Sequence, residues 1–266
     1  MNWSLWVRQA LTIMKMELSR YVLGRRWIGV YIAAYAPVAL LFVAVNMQSN
    51  IRVADLSEAY ALLYQTFILR LSIFFSCALV FSQLFRGEIL EKTLHFYLLA
   101  PARREVIAAG KYLAGVVTMA AIFATSTILT NLLMYVPAPA SANFFSEGDG
   151  IPYLARYVLV TVLACVAYGG IFTLTGLYFR NPIIPAIVVG LWEAFYFILP
   201  ETLQKLTVMH YLQSMLPLVI DRGPFSVVIG ATSGIIGVPI LLAISVGLVW
   251  LSGRMLCRTE ITYSAD

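Results

Sequence analysis

Residues 153–179, YLARYVLVTVLACVAYGGIFTLTGLYF, are apolar almost throughout and contain a single charged side chain, Arg156. A helix needs about 20 consecutive apolar residues to cross the hydrocarbon core of a bilayer, and this stretch exceeds that length. The whole sequence has the same character, because 61% of its 266 residues are hydrophobic and only 12% are charged. Soluble domains contain about 25% charged residues. We therefore predict a polytopic, all-α integral membrane protein with a single transmembrane domain over residues 1–266.

Six apolar segments of this kind are separated by short polar connections. We predict that they form six transmembrane helices, at about 27–47, 66–85, 112–136, 153–179, 183–199 and 227–253. The fourth of these ends at Arg180-Asn181-Pro182. Because proline cannot continue a helix, this tripeptide predicts a tight turn before the fifth helix.

Two further segments predict helices that do not cross the membrane. Residues 1–24 place polar side chains at three- and four-residue steps, with Trp3, Trp6 and other apolar residues between them. This pattern predicts an amphipathic helix at the membrane surface, or alternatively a helix with a solvated face that packs on other protein. Residues 206–220 are apolar but short, and they contain Pro217. We expect a re-entrant or interfacial helix there, on the outer side of the membrane.

The positive charges predict the orientation. With six spans, thirteen of the 18 Lys and Arg residues fall on one side, and the other side has five, namely Arg52, Arg70, Arg156, Lys205 and Arg222. Because positive charges accumulate on the cytoplasmic side, both termini are predicted to be cytoplasmic, and we expect a bacterial cytoplasmic (inner) membrane. The charges cluster at the ends of apolar runs and not along one face, so the net charge of +5 does not indicate a nucleic-acid partner.

Motifs for catalysis and for ligand binding are missing from the sequence. Gly110-Lys111 is followed by Tyr112 and lacks the first glycine of a phosphate-binding loop. Neither GxSxG nor HExxH occurs, the two histidines are His95 and His210, and the three cysteines have no CxxC spacing. We expect no catalytic residue, no metal site and no cofactor on this chain.

The connection between the second and third predicted spans is the most informative segment. Residues 86–111 read RGEILEKTLHFYLLAPARREVIAAGK. On a helix, Glu88, Glu91, Lys92 and His95 would share one charged face, which predicts a short amphipathic helix that presents charge to the cytoplasm. The alternative is that these are ordinary charges that border two spans.

The order of residues in this connection resembles the first cytoplasmic loop of the type-2 ABC transporter permeases, which share the type V exporter fold. The matching positions are Glu91, Thr93, Leu94, Pro101, Arg104, Glu105, Gly110 and Lys111. Lys92 stands where the family usually has glycine, and Arg103 stands where it often has serine. The likeness extends to the N-terminal interfacial helix, the six spans and an outer hairpin before the last span.

The resemblance implies a permease subunit that is not itself an enzyme. It would translocate or export a lipid, peptide or drug-like substrate, while a separate cytoplasmic ATPase binds ATP and Mg²⁺. It would also form a permease homodimer in the lipid bilayer. The segment 86–111 would be the coupling region that docks on the ATPase, and its candidate coupling residues are Glu88, Glu91, Lys92, Thr93, His95, Pro101, Arg103, Arg104 and Glu105.

Glu193 is a charged residue about midway along the fifth predicted span. A carboxylate inside a bilayer is a functional-site candidate by default, because its burial is costly unless it is paired, neutralised or hydrated. With Trp192 and Tyr196 it forms a candidate substrate pathway. The alternative is a glutamate that is protonated or bonded to a neighbouring helix, beside aromatic residues that anchor the outer interface.

Other functions stay open on the sequence alone. A permease-like transmitter could assist maturation of an extracytoplasmic copper enzyme, as the resemblance to some family members implies. A membrane scaffold could act without any ATPase. A secondary transporter could use proton flow through Glu193, although the inverted repeats common in such transporters are not seen.

Overall fold

The described part of the chain is helical. The computed structural model describes residues 3–24, 27–46, 53–90, 103–135, 150–179, 181–195, 198–218 and 232–258. Of these residues 91% are in helices and none is in a strand. The prediction of an all-α protein is confirmed for these ranges.

Ten α-helices and one π-helical segment follow one another along the described ranges. They are α1 (Trp3–Leu23), α2 (Ile28–Asn46), α3 (Val53–Leu63), the π-helical segment (Tyr64–Ile73), α4 (Phe74–Leu90), α5 (Arg104–Tyr135), α6 (Gly150–Tyr178), α7 (Ile183–Ala194), α8 (Glu201–Gln204), α9 (Val208–Ser214) and α10 (Gly234–Arg258). The helix α3, the π-helical segment and α4 are consecutive, so they form one unbroken helical rod. We call α8 and α9, with the turn between them, the helical hairpin.

Length and composition identify the helices that could cross a membrane. Four stretches qualify, namely Leu56–Gly87, Arg104–Tyr135, Gly150–Tyr178 and Gly234–Cys257. The apolar helices α2 and α7 are shorter. The 12 residues of α7 rise about 18 Å, against a hydrocarbon core of about 30 Å. The described helices thus fit a membrane protein with four candidate spans, and the six-span arrangement stays a prediction.

The helices extend beyond the apolar segments of the sequence. The predicted second span starts at 66, whereas its helix starts at Val53, and the predicted third span starts at 112, whereas α5 starts at Arg104. Hydropathy marks where the side chains become apolar, but the helix continues through the polar turns because Arg, Glu and Lys are good helix formers. The predicted coupling region 86–111 is therefore helical at both ends. Residues 91–102 lie outside the described residues.

The core is built around α6, which packs against α4, α5 and α10. The aromatic ring of Phe81 on α4 fills the space where α5 and α6 meet. A Cβ atom added at Gly115 or at Gly169 would lie 2.8 Å from that ring. These two glycines therefore let three helices pack closely around one buried aromatic side chain.

Tyrosine side chains fix the rod against α6. The ring centroid of Tyr157 lies 4.9 Å from that of Tyr60 and 4.7 Å from that of Tyr64. The Tyr64 hydroxyl lies 2.8 Å from Thr161 Oγ1, and it donates to the Tyr157 carbonyl at 3.0 Å. Because lipid offers no hydrogen-bond partners, the buried Tyr64 hydroxyl is satisfied by a neighbouring helix in this way. The contacts hold the start of the π-helical segment in place.

The outward faces of α7 and α10 are apolar. Ile183 and Val188 on α7, and Ile235, Val246 and Trp250 on α10, are all exposed. An apolar exterior of this kind is the surface expected next to lipid.

Candidate functional site

The first candidate site lies where α5 begins, next to the end of α10. The Arg104 guanidinium donates from Nη1 to the carbonyls of Leu256 at 2.9 Å and Cys257 at 3.2 Å. The last carbonyls of a helix have no partner within the helix, so a cation there satisfies them and interacts favourably with the helix dipole. Arg104 therefore caps the C-terminus of α10.

The same two helices, α5 and α10, come into close contact at Glu105. A Cβ atom added at Gly253 would lie 2.9 Å from Glu105 Cα, so the absence of a side chain at Gly253 permits the approach. Arg254 Nε lies 4.0 Å from Glu105 Oε1 in a pair that is partly exposed. An exposed pair of this kind contributes at most about 1 kcal/mol to stability. The close backbone contact determines this arrangement more than the ion pair does.

The N-terminal helix α1 lies along the first part of α5. A Cβ atom added at Gly110 would lie 2.9 Å from the Ala10 carbonyl oxygen, so α1 passes directly over this glycine. Arg103, just before α5, places its guanidinium 4.5 Å from the centre of the Trp6 ring. A cation over the face of Trp is attracted by the negative charge of that face.

A buried ion pair joins α1 to α5. Lys111 Nζ lies 2.6 Å from Glu17 Oε1, and the exposed fractions of the two side chains are 0% and 2%. A charge this deeply buried is stable only when it is paired, and this contact pairs the two residues. Lys111 is one of the residues that carry the family resemblance, and its observed partner is α1 of the same chain.

We call this arrangement the terminal junction. It contains Trp6 and Glu17 of α1, Arg103, Arg104, Glu105 and Lys111 at the start of α5, and the last turn of α10. Three of the predicted coupling residues, at 103–105, are thus brought together against both terminal helices of the described chain. Glu88 is within α4, while Glu91, Lys92, Thr93, His95 and Pro101 lie outside the described residues.

The second candidate site lies at the other end of α10, around Glu193. The Glu193 carboxylate is buried and accepts the backbone N–H of Val208 at 2.9 Å and that of Met209 at 3.0 Å. These groups belong to the first turn of α9, where N–H groups have no partner within the helix. Arg70 of the π-helical segment lies close enough for its charge to interact with the Glu193 carboxylate.

Neutral contacts also attach the helical hairpin elsewhere. Gln213 Nε2 donates to Gln65 Oε1 of the π-helical segment at 3.2 Å, and His210 Nε2 lies 3.0 Å from Thr232 Oγ1. Burial lowers the pKa of His210, and the Lys205 ammonium lowers it further. His210 is therefore neutral near pH 7.

The predicted substrate-pathway residues separate in the structure. Glu193 is 6% exposed and faces the hairpin, whereas its neighbour Trp192 is 41% exposed on the outside of the bundle. Tyr196 lies outside the described residues. The bonds of Glu193 correspond to the alternative of a glutamate bonded to a neighbouring helix, and its role in a substrate pathway stays a prediction.

Sequence reasoning missed several residues of these sites. It gave no role to Glu17 or Gln65, and it counted Arg70 only as a positive charge on the outer side. Gln65 and Arg70 are polar residues within a mainly apolar helix. That contrast was a usable signal, because buried polar side chains in a membrane domain need a partner. It could not identify the partner. Among the described residues, no group of three or more His, Cys, Asp or Glu side chains could hold a metal ion.

The two sites lie at opposite ends of α10. Gly237 contacts the hairpin through Met215, and Cys257 contacts Arg104. These two positions are 20 residues apart (257 minus 237), which is about 30 Å along the helix axis and similar to the thickness of a bilayer core. Comparison of the sequence with protein-family models and with curated proteins finds no match.

Proposed function

We propose that this chain is the membrane-spanning permease subunit of an ATP-driven transporter of the type-2 ABC class. ATP and Mg²⁺ would bind to a separate cytoplasmic ATPase, and the segment 86–111 would receive the motion of that ATPase. The permease would act as a homodimer.

The terminal junction is the observation that carries this proposal. Residues 103–105 directly follow residues 91–102 of the proposed coupling region, and they contact α1 and the end of α10 as well as beginning α5. A displacement of residues 91–102 would therefore act on three helices at once. Transmission of this kind requires packed, rigid elements on both sides of the contact, and the buried pair of Lys111 and Glu17 supplies one such connection.

The first test is isolation of the chain from native membranes with its partners attached. We expect a stoichiometric cytoplasmic ATPase that contains a Walker motif. The double variant Glu88→Lys, Glu91→Lys should lose ATPase binding and stimulation while membrane insertion is unchanged. Glu58→Lys is the control, because Glu58 is an exposed carboxylate on α3, 30 residues before Glu88 along the rod (88 minus 58), and the charge change at each substituted position is the same.

Two outcomes would contradict the proposal. If no ATPase accompanies the chain, a scaffold or a secondary transporter is favoured. If the double variant binds and stimulates the ATPase normally, 86–111 is not the docking segment.

The orientation of the chain in the membrane can be measured separately by cysteine labelling, because Cys257 is exposed while Cys77 and Cys165 are buried. A membrane-impermeant maleimide should label Cys257 only in permeabilised cells. Labelling in intact cells would place the junction outside the cell.

A further inference from the structure

We propose that Glu193 is a positioning residue that holds the helical hairpin closed against α6, α10 and the π-helical segment. This role does not depend on the ATPase, because it concerns contacts within the chain. It rests on the geometry of the Glu193 carboxylate and on the other contacts of α9.

Glu193 uses both carboxylate oxygens on α9. Oε1 accepts from Val208 and Oε2 accepts from Met209. A carboxylate has two acceptor oxygens, whereas a glutamine side chain has only one, so the two bonds together require Glu. Negative charge is also favourable at the N-terminus of a helix.

The helix α9 already has a cap of its own. The Thr207 hydroxyl accepts the N–H of His210 at 3.3 Å, and Thr207 has the extended backbone of a capping residue, with φ −88° and ψ 142°. Glu193 satisfies the first two N–H groups, which this local cap leaves open. Glu193 therefore does more than complete α9, because its bonds attach α9 to α7.

Glu193 attaches the hairpin through two hydrogen bonds to one carboxyl group. Charge-assisted hydrogen bonds are roughly twice as strong as neutral ones. The bond between Gln213 and Gln65 is neutral and 3.2 Å long. Gln65 of the π-helical segment is itself buried. Single turns of π-helix occur frequently at functional sites, and here the hairpin donates a hydrogen bond to a π-helical segment.

The test measures opening of the hairpin by cysteine labelling. The reporter is Met209→Cys, placed where the native side chain is 2% exposed, in a Cys257→Ser background. Leu206→Cys is the matched control, because Leu206 is 71% exposed on the turn of the same hairpin. Purified protein in lipid nanodiscs reacts with a hydrophilic maleimide from both faces, so the result does not depend on orientation.

Two variants disrupt the contact from opposite sides. Glu193→Gln removes one acceptor and the charge. Val208→Pro removes one donor at the first helical position, where proline is well tolerated, and the extended backbone of Thr207 suits a residue before proline. Each variant should raise the labelling rate at Met209→Cys about tenfold or more, which corresponds to about 1.4 kcal/mol. The rate at Leu206→Cys should stay the same.

The combination of the two variants distinguishes a specific contact from general destabilisation. If both remove the same contact, the double variant labels no faster than the faster single variant. Unchanged protection of Met209→Cys in Glu193→Gln would overturn the proposal. The proposal would also be overturned if the increases in labelling rate of the two single variants multiplied in the double variant, or if the labelling rate at Leu206→Cys rose as well.

Discussion

Loss of the Lys111 ammonium should destabilise the protein strongly. Lys111→Met keeps most of the side-chain volume but leaves the Glu17 carboxylate buried at 2% exposure without the cation that lies 2.6 Å away. Removal of one partner from a buried pair costs about 3–5 kcal/mol in free energy of unfolding. At about 2–4 °C for each kcal/mol, the melting temperature of the purified protein should fall by about 6–20 °C.

The double variant Lys111→Met, Glu17→Leu should recover most of the loss. Replacement of a buried ion pair by apolar side chains of similar volume is often neutral or stabilising, because no charge remains to be desolvated. Lys15→Met serves as the control, since Lys15 is an exposed lysine on α1, the helix of Glu17, and its change should alter stability by less than about 0.5 kcal/mol. The reasoning fails if Lys111→Met melts within a few degrees of Lys15→Met, or if the double variant is less stable than the single one.

Three further changes have defined outcomes. Gly169→Ala should lower the free energy of unfolding by about 1–3 kcal/mol because its methyl group would overlap the Phe81 ring, whereas Gly247→Ala, with no atom within 4 Å, should be neutral or stabilising in thermal unfolding. Arg104→Gln should speed hydrogen exchange in the last turn of α10 by about tenfold, because charge-assisted bonds to its carbonyls are lost. The pKa of His210 in the folded state lies below its usual value of about 6.5, so near and below that pH the folded state binds fewer protons than the unfolded state. The stability that the protein has above pH 6.5 is therefore partly lost as the pH falls. Melting temperatures between pH 8 and pH 5 should show this loss, and His210→Gln should reduce it.

The sequence predicted the existence of the helices better than their limits. Long apolar runs identify segments that suit lipid, and this physical requirement is local, so residues 153–179 and the helix Gly150–Tyr178 agree closely. Helix ends depend on caps and tertiary contacts as well as on hydropathy. This is why α5 starts eight residues before its predicted span, at 104 and not at 112.

The sequence could not show which charged residues pair with each other. Lys111 was identified from a motif next to the predicted docking segment, but it pairs with Glu17, 94 positions earlier. The periodicity of residues 1–24 indicates a polar face, and it gives no sign that Glu17 faces protein. The π-helical segment had no sequence signal, because its residues would suit an ordinary α-helix equally well. Packing between helices that are distant in the sequence determines the pairing of Lys111 with Glu17, the burial of Glu17 and the π-helical segment.

The two ends of the bundle are held by different kinds of bond, and this difference bears on the proposed transport cycle. The terminal junction contains a fully buried ion pair and a capped helix end, which a small displacement cannot break without exposing an unpaired charge. The hairpin is held by one carboxylate and by neutral contacts, which are easier to exchange. Because α10 contacts both ends, a force applied at the junction would move that helix as a unit before the junction itself yields. We therefore expect the hairpin to be the end that opens in the proposed cycle, and we expect the bonds of Glu193 to contribute to the free energy that opening requires.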